Sequence, residues 1–326
     1  MAPSRRILLT GASSGIGFQA AAQLLQAGHQ LTLPCRDAGR AASTARRIAA
    51  EAGGTAEPQT LVCDLADLES VNRCSEELLR RGEPIDTLVL NAGLQYTGAT
   101  EPRRSAQGYE LTLAVNHLAH QLLARRLLPL LEAGQEPRVV VTASEVHDPA
   151  SAGGRVGKPA GLGDLAGLRQ GTGFAMVDGT SAFDADKAYK DSKLCNLLFA
   201  RELERQLREQ GRRWPVIAWS PGLVIPRADE GFFRYSRRHN EVGQRLFALV
   251  ARDLLRLTET VEGAGALLAS LSADPVHAAA GFQYWSNRVL GPGRRRFEPV
   301  EPGAEARDEA LAAALWTISE GLVGLA

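Results

Sequence analysis

The sequence predicts one α/β domain built on a doubly wound, parallel sheet, and three observations support this. Six short runs rich in Val, Ile and Leu recur along the chain, and each is continuously apolar, as in strands that are buried on both faces. Helical patterns follow these runs, and strands that alternate with helices form parallel sheets covered on both sides. The first run leads directly into a glycine-rich turn. Together these features are typical of a Rossmann-like domain, which we expect to span residues 1–326.

The six predicted strands are RILLTG, QLTLPC, QTLVCDL, IDTLVLNAG, RVVVTAS and WPVIAWSPG. The periodicity between them predicts helices at 17–28, 38–52, 68–81, 108–131 and 187–210. Two further helices, a last strand-like piece, GFQYWSN, and a C-terminal helix complete the chain. We expect the stretch between these last two elements, GPGRRRFEPVEPGAEARDE, to be a surface connection.

Two segments interrupt this rhythm. The residues at about 145–186 are dense in Gly and Pro, and a loop of that length inside a domain is usually functional or disordered. We expect this excursion to shape a substrate pocket rather than to be a passive insertion. A lid is predicted at about 225–260, where the helix RLFALVARDLLRL has an apolar face and three arginines. That helix either covers a pocket and touches a membrane surface or simply faces the core.

Charge and cysteine content restrict the kinds of partner. The chain has 37 Lys and Arg against 37 Asp and Glu, so a small-molecule substrate is expected and nucleic acid is not. Its four cysteines are irregularly spaced, as in a reduced cytosolic protein, and no window is apolar for the roughly 18 residues of a spanning helix. A soluble, cytoplasmic protein is predicted. His117 and His120 are interpreted as packing residues rather than metal ligands, because no third ligand has suitable spacing, and no metal is expected.

The turn LLTGASSGIG after the first strand predicts a dinucleotide site. Glycine lets the backbone approach a pyrophosphate, whose charge is stabilised by the first N–H groups and the dipole of the following helix. A tight turn without a ligand is the alternative, but the strand, turn and helix context favours the site. The candidate cofactor residues in this turn are Thr10, Gly11, Ser13, Ser14, Gly15, Ile16 and Gly17.

Residues at the carboxyl ends of later strands indicate NADP(H) as the cofactor. An acidic residue after the second strand binds the ribose 2′-hydroxyl of NAD, whereas an arginine accommodates the 2′-phosphate of NADP. This chain has Arg36 there and Arg40 one helical turn later, while Asp37 argues in the opposite direction. The ligand crevice of such sheets opens at the carboxyl ends of the strands. Further cofactor contacts are predicted at Asp64, Leu65, Asn91, Ala92, Gly93, Pro221 and Gly222.

The segment FDADKAYKDSKLCN predicts the chemistry. Tyr189 lies four positions before Lys193 on a predicted helix, so the two side chains share one face. A positive charge nearby is expected to lower the pKa of the phenol from its ordinary value of about 10. Tyr189 would then exchange a proton with a substrate near neutral pH. A solvated Tyr/Lys pair is the alternative for these two residues taken alone.

These motifs together resemble those of the short-chain dehydrogenase/reductase family. The glycine turn and the Asn-Ala-Gly and Tyr-x-x-x-Lys motifs of the family are present, its strand serine matches Ser144, and its helix asparagine matches Asn116 in AVNHLAH. The resemblance implies that Tyr189, Lys193, Ser144 and Asn116 are the catalytic residues. Lys193 would also bind the nicotinamide ribose, Ser144 would hold the reacting substrate, and Asn116 would support a water relay.

Within that family the chain resembles the light-dependent protochlorophyllide reductases over essentially its whole length. The similar segments are DKAYKDSKLCNLL, the excursion piece GGRVGKPAGLGDLAGL, the helix GYELTLAVNHLAHQLLARRLL and the ending LWTISEGLVGLA. The resemblance implies that NADPH reduces a pyrrole double bond of protochlorophyllide in the light, with the proton coming from Tyr189, to give chlorophyllide. A tetrapyrrole substrate, a role in chlorophyll biosynthesis, peripheral contact with a photosynthetic membrane and a homo-oligomer are compatible with it.

Departures from that pattern keep two other functions open. Where the reductases have YPGCV after the sixth strand, this chain has SPGLV, with Ser220 and Leu223 in place of the tyrosine and the cysteine. Leu223, Ser144 and the ordinary Asn-Ala-Gly motif favour a light-independent enzyme acting on a bulky apolar carbonyl or alcohol. A non-catalytic NADPH- or pigment-binding protein is the third alternative, although such a module has no evident need for all four catalytic side chains.

Overall fold

An eight-stranded sheet is the centre of the computed structural model, which describes residues 3–54, 56–224 and 258–325. The strands are β1 (Arg6–Leu9), β2 (Gln30–Cys35), β3 (Gln59–Val62), β4 (Thr87–Leu90), β5 (Arg138–Thr142), β6 (Pro215–Ser220), β7 (Gly281–Gly291) and β8 (Arg294–Pro299). Their order is β3-β2-β1-β4-β5-β6-β7-β8, and all neighbours are parallel except β7 and β8. The predicted Rossmann-like, doubly wound sheet is confirmed.

The strand order places the ligand crevice. Every residue of β4, β5 and β6 is buried, as continuously apolar runs in a sheet covered on both faces require. The chain adds β2 and β3 on one side of β1 and then continues with β4 on the other side, so the strand order reverses between β1 and β4. These two strands pair from Ile7 opposite Thr87 to Leu9 opposite Val89. A crevice opens outside the carboxyl ends of the strands at such a reversal. Thr10 and Asn91 directly follow these two strands, so both border the crevice.

Helices cover both faces of the sheet. They are α1 (Gly15–Gln26), α2 (Ala38–Glu51), α3 (Leu68–Arg81), α4 (Leu111–Leu113), α5 (Ala119–Glu132), α6 (Ala166–Arg169), α7 (Ala185–Glu209), α8 (Val261–Ala273) and α9 (Glu309–Leu322). A π-helical turn, Ala114–Leu118, joins α4 to α5 without a break. One apolar core is formed with α3, α5, α7 and α9 and the other with α1, α2 and α8. The predicted helices that fall within the described residues are all present, with ends shifted by up to three residues, whereas the helix predicted at RLFALVARDLLRL lies outside those residues.

The largest of these shifts has a clear cause. The helix predicted to start at residue 108 begins at Leu111, because the Glu110 carboxylate accepts hydrogen bonds from Thr112 N at 2.9 Å and Leu113 N at 2.8 Å. A side chain that satisfies these otherwise unpaired N–H groups fixes the first turn of a helix. Glu110 is itself buried and also accepts a hydrogen bond from the Tyr96 hydroxyl.

The predicted surface connection after GFQYWSN is wrong, because part of it is strand β8. The chain turns at Pro292 and Gly293, and β8 returns antiparallel to β7. Gly293 has a φ of +66°, which favours glycine at this position. The segment was not predicted as a strand because its sequence, RRRFEP, has charged residues where a strand usually alternates apolar and polar side chains. An edge strand keeps one side open to water and therefore tolerates charged residues. Phe297 is its apolar anchor, 5.2 Å from the ring centre of Trp285.

The excursion is largely packed into the core. The part after Pro159 contributes buried apolar side chains, namely those of Ala160, Leu162, Leu165, Leu168, Phe174 and Val177. Helix α6 lies in this part, and a Cβ added at Gly167 would lie only 2.0 Å from the Met176 carbonyl oxygen. This close crossing holds the two sides of the excursion together. The excursion is thus an ordered part of the fold.

The predicted lid lies mostly outside the described residues. Residues 225–257, with the helix RLFALVARDLLRL, are among those not described, so the lid stays a prediction. Where the chain is described again, Glu259 N donates to the Leu223 carbonyl at 2.8 Å, which holds the two flanks of the gap together. In the part of the chain that the structure covers, every helix is too short or too polar to cross a membrane.

Candidate active site

The glycine turn is packed tightly against the segment after β4. Gly11 has a φ of +77°, and a Cβ there would lie 2.7 Å from the Ala92 Cα atom. A Cβ at Gly17 would lie 2.4 Å from the Gly11 carbonyl oxygen. The first turn of α1 has no side-chain cap and no acidic residue, so its N–H groups and positive dipole end are available to an anion. The turn therefore fits the diphosphate of a dinucleotide.

Thr10 connects this turn to the helix that carries Asn116. Its hydroxyl oxygen accepts hydrogen bonds from Asn91 N at 2.9 Å and Ala92 N at 3.0 Å, and lies 3.0 Å from His120 Nε2. His120 Nδ1 lies 3.0 Å from the Asn116 carbonyl oxygen, which can only accept, so Nδ1 carries the proton. Burial lowers the pKa of His120 to about 4, so the ring is neutral. Nε2 is then the acceptor and the Thr10 hydroxyl is its donor.

This arrangement gives His120 a role that its interpretation as a packing residue missed. Replacing it with leucine is expected to weaken NADPH binding by up to about tenfold, because the Thr10 hydroxyl loses its nearer acceptor, at 3.0 Å, and is left with the Val89 carbonyl at 3.3 Å. His117→Leu is the matched control: His117 lies three residues earlier and is equally buried, but it contacts Ser319 Oγ, at 3.1 Å, instead of Thr10. Fluorescence titration with NADPH measures both variants. Equal affinities for the two would contradict the role of His120.

Asn116 lies in the π-helical turn and clamps the segment after β4. Its amide nitrogen donates to the Leu94 carbonyl at 3.1 Å and to Ser192 Oγ at 2.9 Å, and its amide oxygen accepts from Leu94 N at 2.8 Å. The side chain is completely buried. π-Helical turns inside α-helices frequently mark functional sites. Asn116 thereby joins the Asn-Ala-Gly segment to the helix of Tyr189, while its carbonyl is held by His120.

Tyr189, Ser144 and Lys193 meet at the carboxyl end of β5. The side chains of Tyr189 and Ser144 form a hydrogen bond, and Lys193 Nζ lies 5.6 Å from the centre of the Tyr189 ring. Lys193 Nζ donates to the Thr142 carbonyl at 3.0 Å, which fixes the ammonium. A Cβ at Gly93 would lie 3.4 Å from Asn116 Oδ1 and 3.6 Å from Lys193 Nζ. Gly93 thus lies against Asn116 and Lys193, where a side chain would crowd the Asn116 amide oxygen.

The pKa values of this pair are governed by burial. Burial raises the pKa of Tyr189 above its ordinary value; the hydrogen bond with Ser144 opposes this and Asp186 adds to it. The expected lowering of the Tyr189 pKa is therefore wrong in direction, because burial cannot be read from the spacing of two residues. Burial also lowers the pKa of Lys193 to about 7. A raised pKa keeps the phenol protonated at neutral pH, which is the form that a proton donor needs.

The arginines after β2 lie at the mouth of the crevice and are partly exposed. Arg36 Nε lies 3.7 Å from Asp64 Oδ1, and Arg40 Nε lies 3.3 Å from Asp37 Oδ2. Asp37 is the N-cap of α2, where its carboxylate accepts from Arg40 N at 2.8 Å. The acidic residue that argued against NADP thus has a structural reason to be there. Leu65 follows Asp64 directly and packs against the core.

A third arginine near this end was not found from the sequence. Arg47 Nη1 donates to the Ser13 carbonyl at 3.3 Å, and its guanidinium lies 4.8 Å from the centre of the Phe18 ring. Arg47 stands three turns into α2, well beyond the end of β2 where cofactor-selecting residues are sought, so no local signal identifies it. It holds the glycine turn from the outside.

The segment after β6 closes the far side of the crevice. Gly222 has a φ of +76°, and a Cβ there would lie 2.6 Å from the Asn287 carbonyl oxygen, so only glycine fits. Asn287 Nδ2 donates to the Pro221 carbonyl at 3.2 Å. Ser220 Oγ accepts from Glu145 N at 3.0 Å, which ties the end of β6 to the residue that follows Ser144. The structure thus brings residues from the ends of β1, β4, β5 and β6 to one edge of the sheet.

Comparisons with known proteins agree with this geometry. The short chain dehydrogenase family model matches residues 5–156. The chain is 36% identical to Protochlorophyllide reductase A, chloroplastic, of Oryza sativa subsp. japonica, over 98% of this chain and 80% of that protein. It is 36% identical to Protochlorophyllide reductase of Avena sativa, over 98% of this chain and 100% of that protein.

Solved structures show the same fold. The crystal structure of an uncharacterized protein from Mycobacterium paratuberculosis matches with a TM-score of 0.67 at 26% identity, covering 99% of this chain and 96% of that one. L-Sorbose reductase from Gluconobacter frateurii, complexed with NADPH and L-sorbose, matches in fold alone, with a TM-score of 0.62 at 18% identity over 90% and 98% of the two chains. The present chain belongs to the short-chain dehydrogenase/reductase family. It is an NAD(P)-dependent oxidoreductase of that type, and its substrate is a small molecule.

Proposed function

We propose that the protein uses NADPH to reduce a pyrrole double bond of protochlorophyllide in the light, giving chlorophyllide. The observation that carries the proposal is the pairing of the Tyr189 phenol with Ser144 beside Lys193, next to an ordered excursion. The relatives named protochlorophyllide reductase are similar over nearly the whole chain, and their similarity includes that excursion. Peripheral membrane contact and a homo-oligomer remain predictions from the sequence.

The crevice residues fit the successive parts of NADPH. The glycine turn would hold the diphosphate, Arg36 and Arg40 the 2′-phosphate, and Lys193 the nicotinamide ribose. The remaining predicted contacts are Asp64 and Leu65 towards the adenosine, Asn91 to Gly93 along the crevice floor, and Pro221 and Gly222 at the nicotinamide end. When bound, this cofactor supplies a hydride.

The chain's own residues supply the proton and orient the reaction. Tyr189 gives its hydroxyl proton to the double-bond carbon next to the one that receives the hydride, and the phenolate that remains is stabilised by the Ser144 hydroxyl and the Lys193 ammonium. Lys193 is held in place by the Thr142 carbonyl. Asn116 keeps the segment after β4 and the catalytic helix at a fixed separation, because it bonds to both.

NADPH is expected to be preferred over NADH because of Arg36. Replacing Arg36 with alanine removes a charge-assisted contact with the 2′-phosphate, so affinity for NADPH should fall about 10- to 100-fold while affinity for NADH stays unchanged. Arg46→Ala, which removes an exposed arginine from the helix that follows Arg36, is the control. Fluorescence titration with both cofactors checks this. Equal affinity of the unmodified protein for the two cofactors would contradict the preference. A ratio of NADPH to NADH affinity that Arg36→Ala leaves unchanged would contradict the role of Arg36.

A light-independent reductase acting on a bulky apolar carbonyl is the second candidate. The specific observation in its favour is the segment after β6, where Leu223 carries no acidic proton and Ser220 Oγ is an acceptor that ties the backbone N–H groups of Glu145 and Gly222 together. These positions hold a cysteine and a tyrosine in the pattern of the protochlorophyllide reductases. The same catalytic side chains would serve a carbonyl, with Tyr189 protonating its oxygen.

One experiment separates the two candidates. The protein is mixed with NADPH and protochlorophyllide in darkness, and absorption spectra are recorded before and after brief illumination. Conversion to chlorophyllide only after light supports the proposal. Confirmed NADPH binding without conversion, together with oxidation of NADPH by a bulky apolar ketone in darkness, would favour the second candidate. Binding of NADPH without turnover of either compound would indicate the non-catalytic alternative.

A further inference from the structure

Lys190, the residue after Tyr189, holds part of the excursion through its ammonium group. Its Nζ atom donates to the carbonyl oxygens of Val156 and, at 2.9 Å, of Lys158, and lies 3.5 Å from that of Gly154. Asp186 Oδ2 is 3.2 Å away and balances the charge. The lysine side chain is only 3% exposed. A buried ammonium is costly unless its hydrogens are bonded, and here carbonyls from a remote segment provide the partners.

Segment 151–158, which supplies these carbonyls, has no apolar anchor of its own. Gly154 is its one buried residue, and the Val156 side chain is 68% exposed. The part of the excursion after Pro159 differs, because its leucines are in the core. Lys187, on the other side of Tyr189, bonds to that later part: its Nζ atom is 2.7 Å from the Gly161 carbonyl and 3.1 Å from Asp178 Oδ2.

Segment 151–158 lies directly over the residues that follow Ser144. Ser151 Oγ donates to the Glu145 carbonyl at 2.8 Å. A Cβ at Gly153 would lie 3.0 Å from Val146 Cγ1, and one at Gly154 would lie 1.9 Å from the Asp148 carbonyl oxygen. The segment therefore packs on the turn that directly follows Ser144, the predicted substrate-binding serine, and none of its own residues is a predicted cofactor contact.

We propose that Lys190 is a positioning residue for the substrate: its ammonium fixes segment 151–158 as a wall of the pocket beside Ser144, and thereby sets affinity for the substrate without affecting NADPH. The substrate part of this inference rests on the proposed function. The anchoring part does not, because it concerns contacts within the chain alone.

Limited trypsin digestion tests the anchoring. The bond after Arg155 is the trypsin site in the segment, since Lys158 is followed by Pro159. Lys190→Met should speed cleavage there about tenfold, because the segment opens locally without the ammonium. Lys187→Met, the matched control, should leave cleavage at this bond as in the unmodified protein. If Lys190→Met does not fold, Lys190→Gln, whose amide keeps two donors, replaces it and should give a smaller increase. Cleavage after Arg155 at the unmodified rate overturns the proposal.

Kinetics test the effect on the substrate. In the light-driven assay, Lys190→Met should raise KM for protochlorophyllide about tenfold and leave kcat and the Kd for NADPH within about twofold, because the misplaced wall weakens substrate positioning. A purely structural role would lower stability and leave this KM unchanged, which would overturn the proposal. Absence of protochlorophyllide reduction by the unmodified protein would instead refute the proposed function, and the digestion result would still decide whether Lys190 anchors the segment.

Discussion

Replacing Tyr189 with phenylalanine should lower the rate of light-driven protochlorophyllide reduction by about 10²- to 10⁴-fold, the contribution of a general acid placed at the reacting atom. The variant keeps the ring, which lies 5.6 Å from Lys193 Nζ, and loses only the hydroxyl that bonds to Ser144. Affinity for NADPH should stay within about threefold, since the cofactor contacts are mainly with the glycine turn and the strand ends. Single-turnover absorbance changes after a light pulse measure the rate, and fluorescence titration measures the affinity.

Tyr109→Phe is the matched control for this substitution. The Tyr109 hydroxyl donates to the Leu322 carbonyl at 2.9 Å, away from the crevice, so its loss should cost about 1 kcal/mol of stability and leave turnover unchanged. If Tyr189→Phe turned over protochlorophyllide at the rate of the Tyr109 variant, the assignment of the proton donor would be incorrect. A non-catalytic binding protein would show no turnover to lose.

Replacing Lys193 with methionine should abolish most activity and at the same time stabilise the fold. Turnover should fall at least about 100-fold, because the phenolate of Tyr189 loses its stabilising charge. Stability should rise because burial holds the pKa of Lys193 at about 7 in the folded protein, against 10.5 ordinarily. The folded state therefore disfavours the charged form that the unfolded chain prefers. Active sites commonly sacrifice stability in this way.

The pH dependence of that stabilisation follows from the two pKa values. For a lysine whose pKa is lowered by folding, the folded state is penalised least above the unfolded pKa, and the penalty grows as the pH falls from about 10.5 towards about 7. The methionine variant lacks this penalty. Its extra stability should be on the order of 2 kcal/mol at pH 7, after allowance for the lost bond to Thr142, and should fall to zero before the pH reaches 10.5. Denaturant unfolding at several pH values measures it, and a variant less stable at pH 7 than the unmodified protein would contradict the buried, charge-penalised lysine.

The fold could be predicted from the sequence because strands buried on both faces leave an unambiguous pattern. The runs that became β4, β5 and β6 are continuously apolar, and the structure buries all of them. Strand β8 could not be predicted, since an open edge allows three consecutive arginines whose charge hides the apolar face of Phe297. The pattern of apolar residues in a sequence reflects which side chains are buried. Prediction of a strand from that pattern is therefore least reliable where only one side of the strand is buried.

The candidate site could be predicted only where its residues are neighbours in sequence or follow a strand directly. Tyr189 and Lys193 share a helical face, and Ser144 and Asn91 end strands, so spacing alone brings them together. His120 contacts Thr10, 110 positions away, and Lys190 contacts Lys158, 32 positions away. No local pattern in the sequence indicates either contact. The direction of the Tyr189 pKa was missed for a related reason, because burial is a property of the whole fold.

The most direct measurement follows a deuterium label from the cofactor into the product. The protein is mixed in darkness with protochlorophyllide and NADPH deuterated at C4 of its dihydronicotinamide ring, illuminated, and the pigment is analysed by mass spectrometry. We expect chlorophyllide one deuterium heavier than the product made with unlabelled NADPH, and no such product with Tyr189→Phe on the same timescale. Unchanged protochlorophyllide after illumination, or chlorophyllide that carries no label from the cofactor, would contradict the proposed reaction.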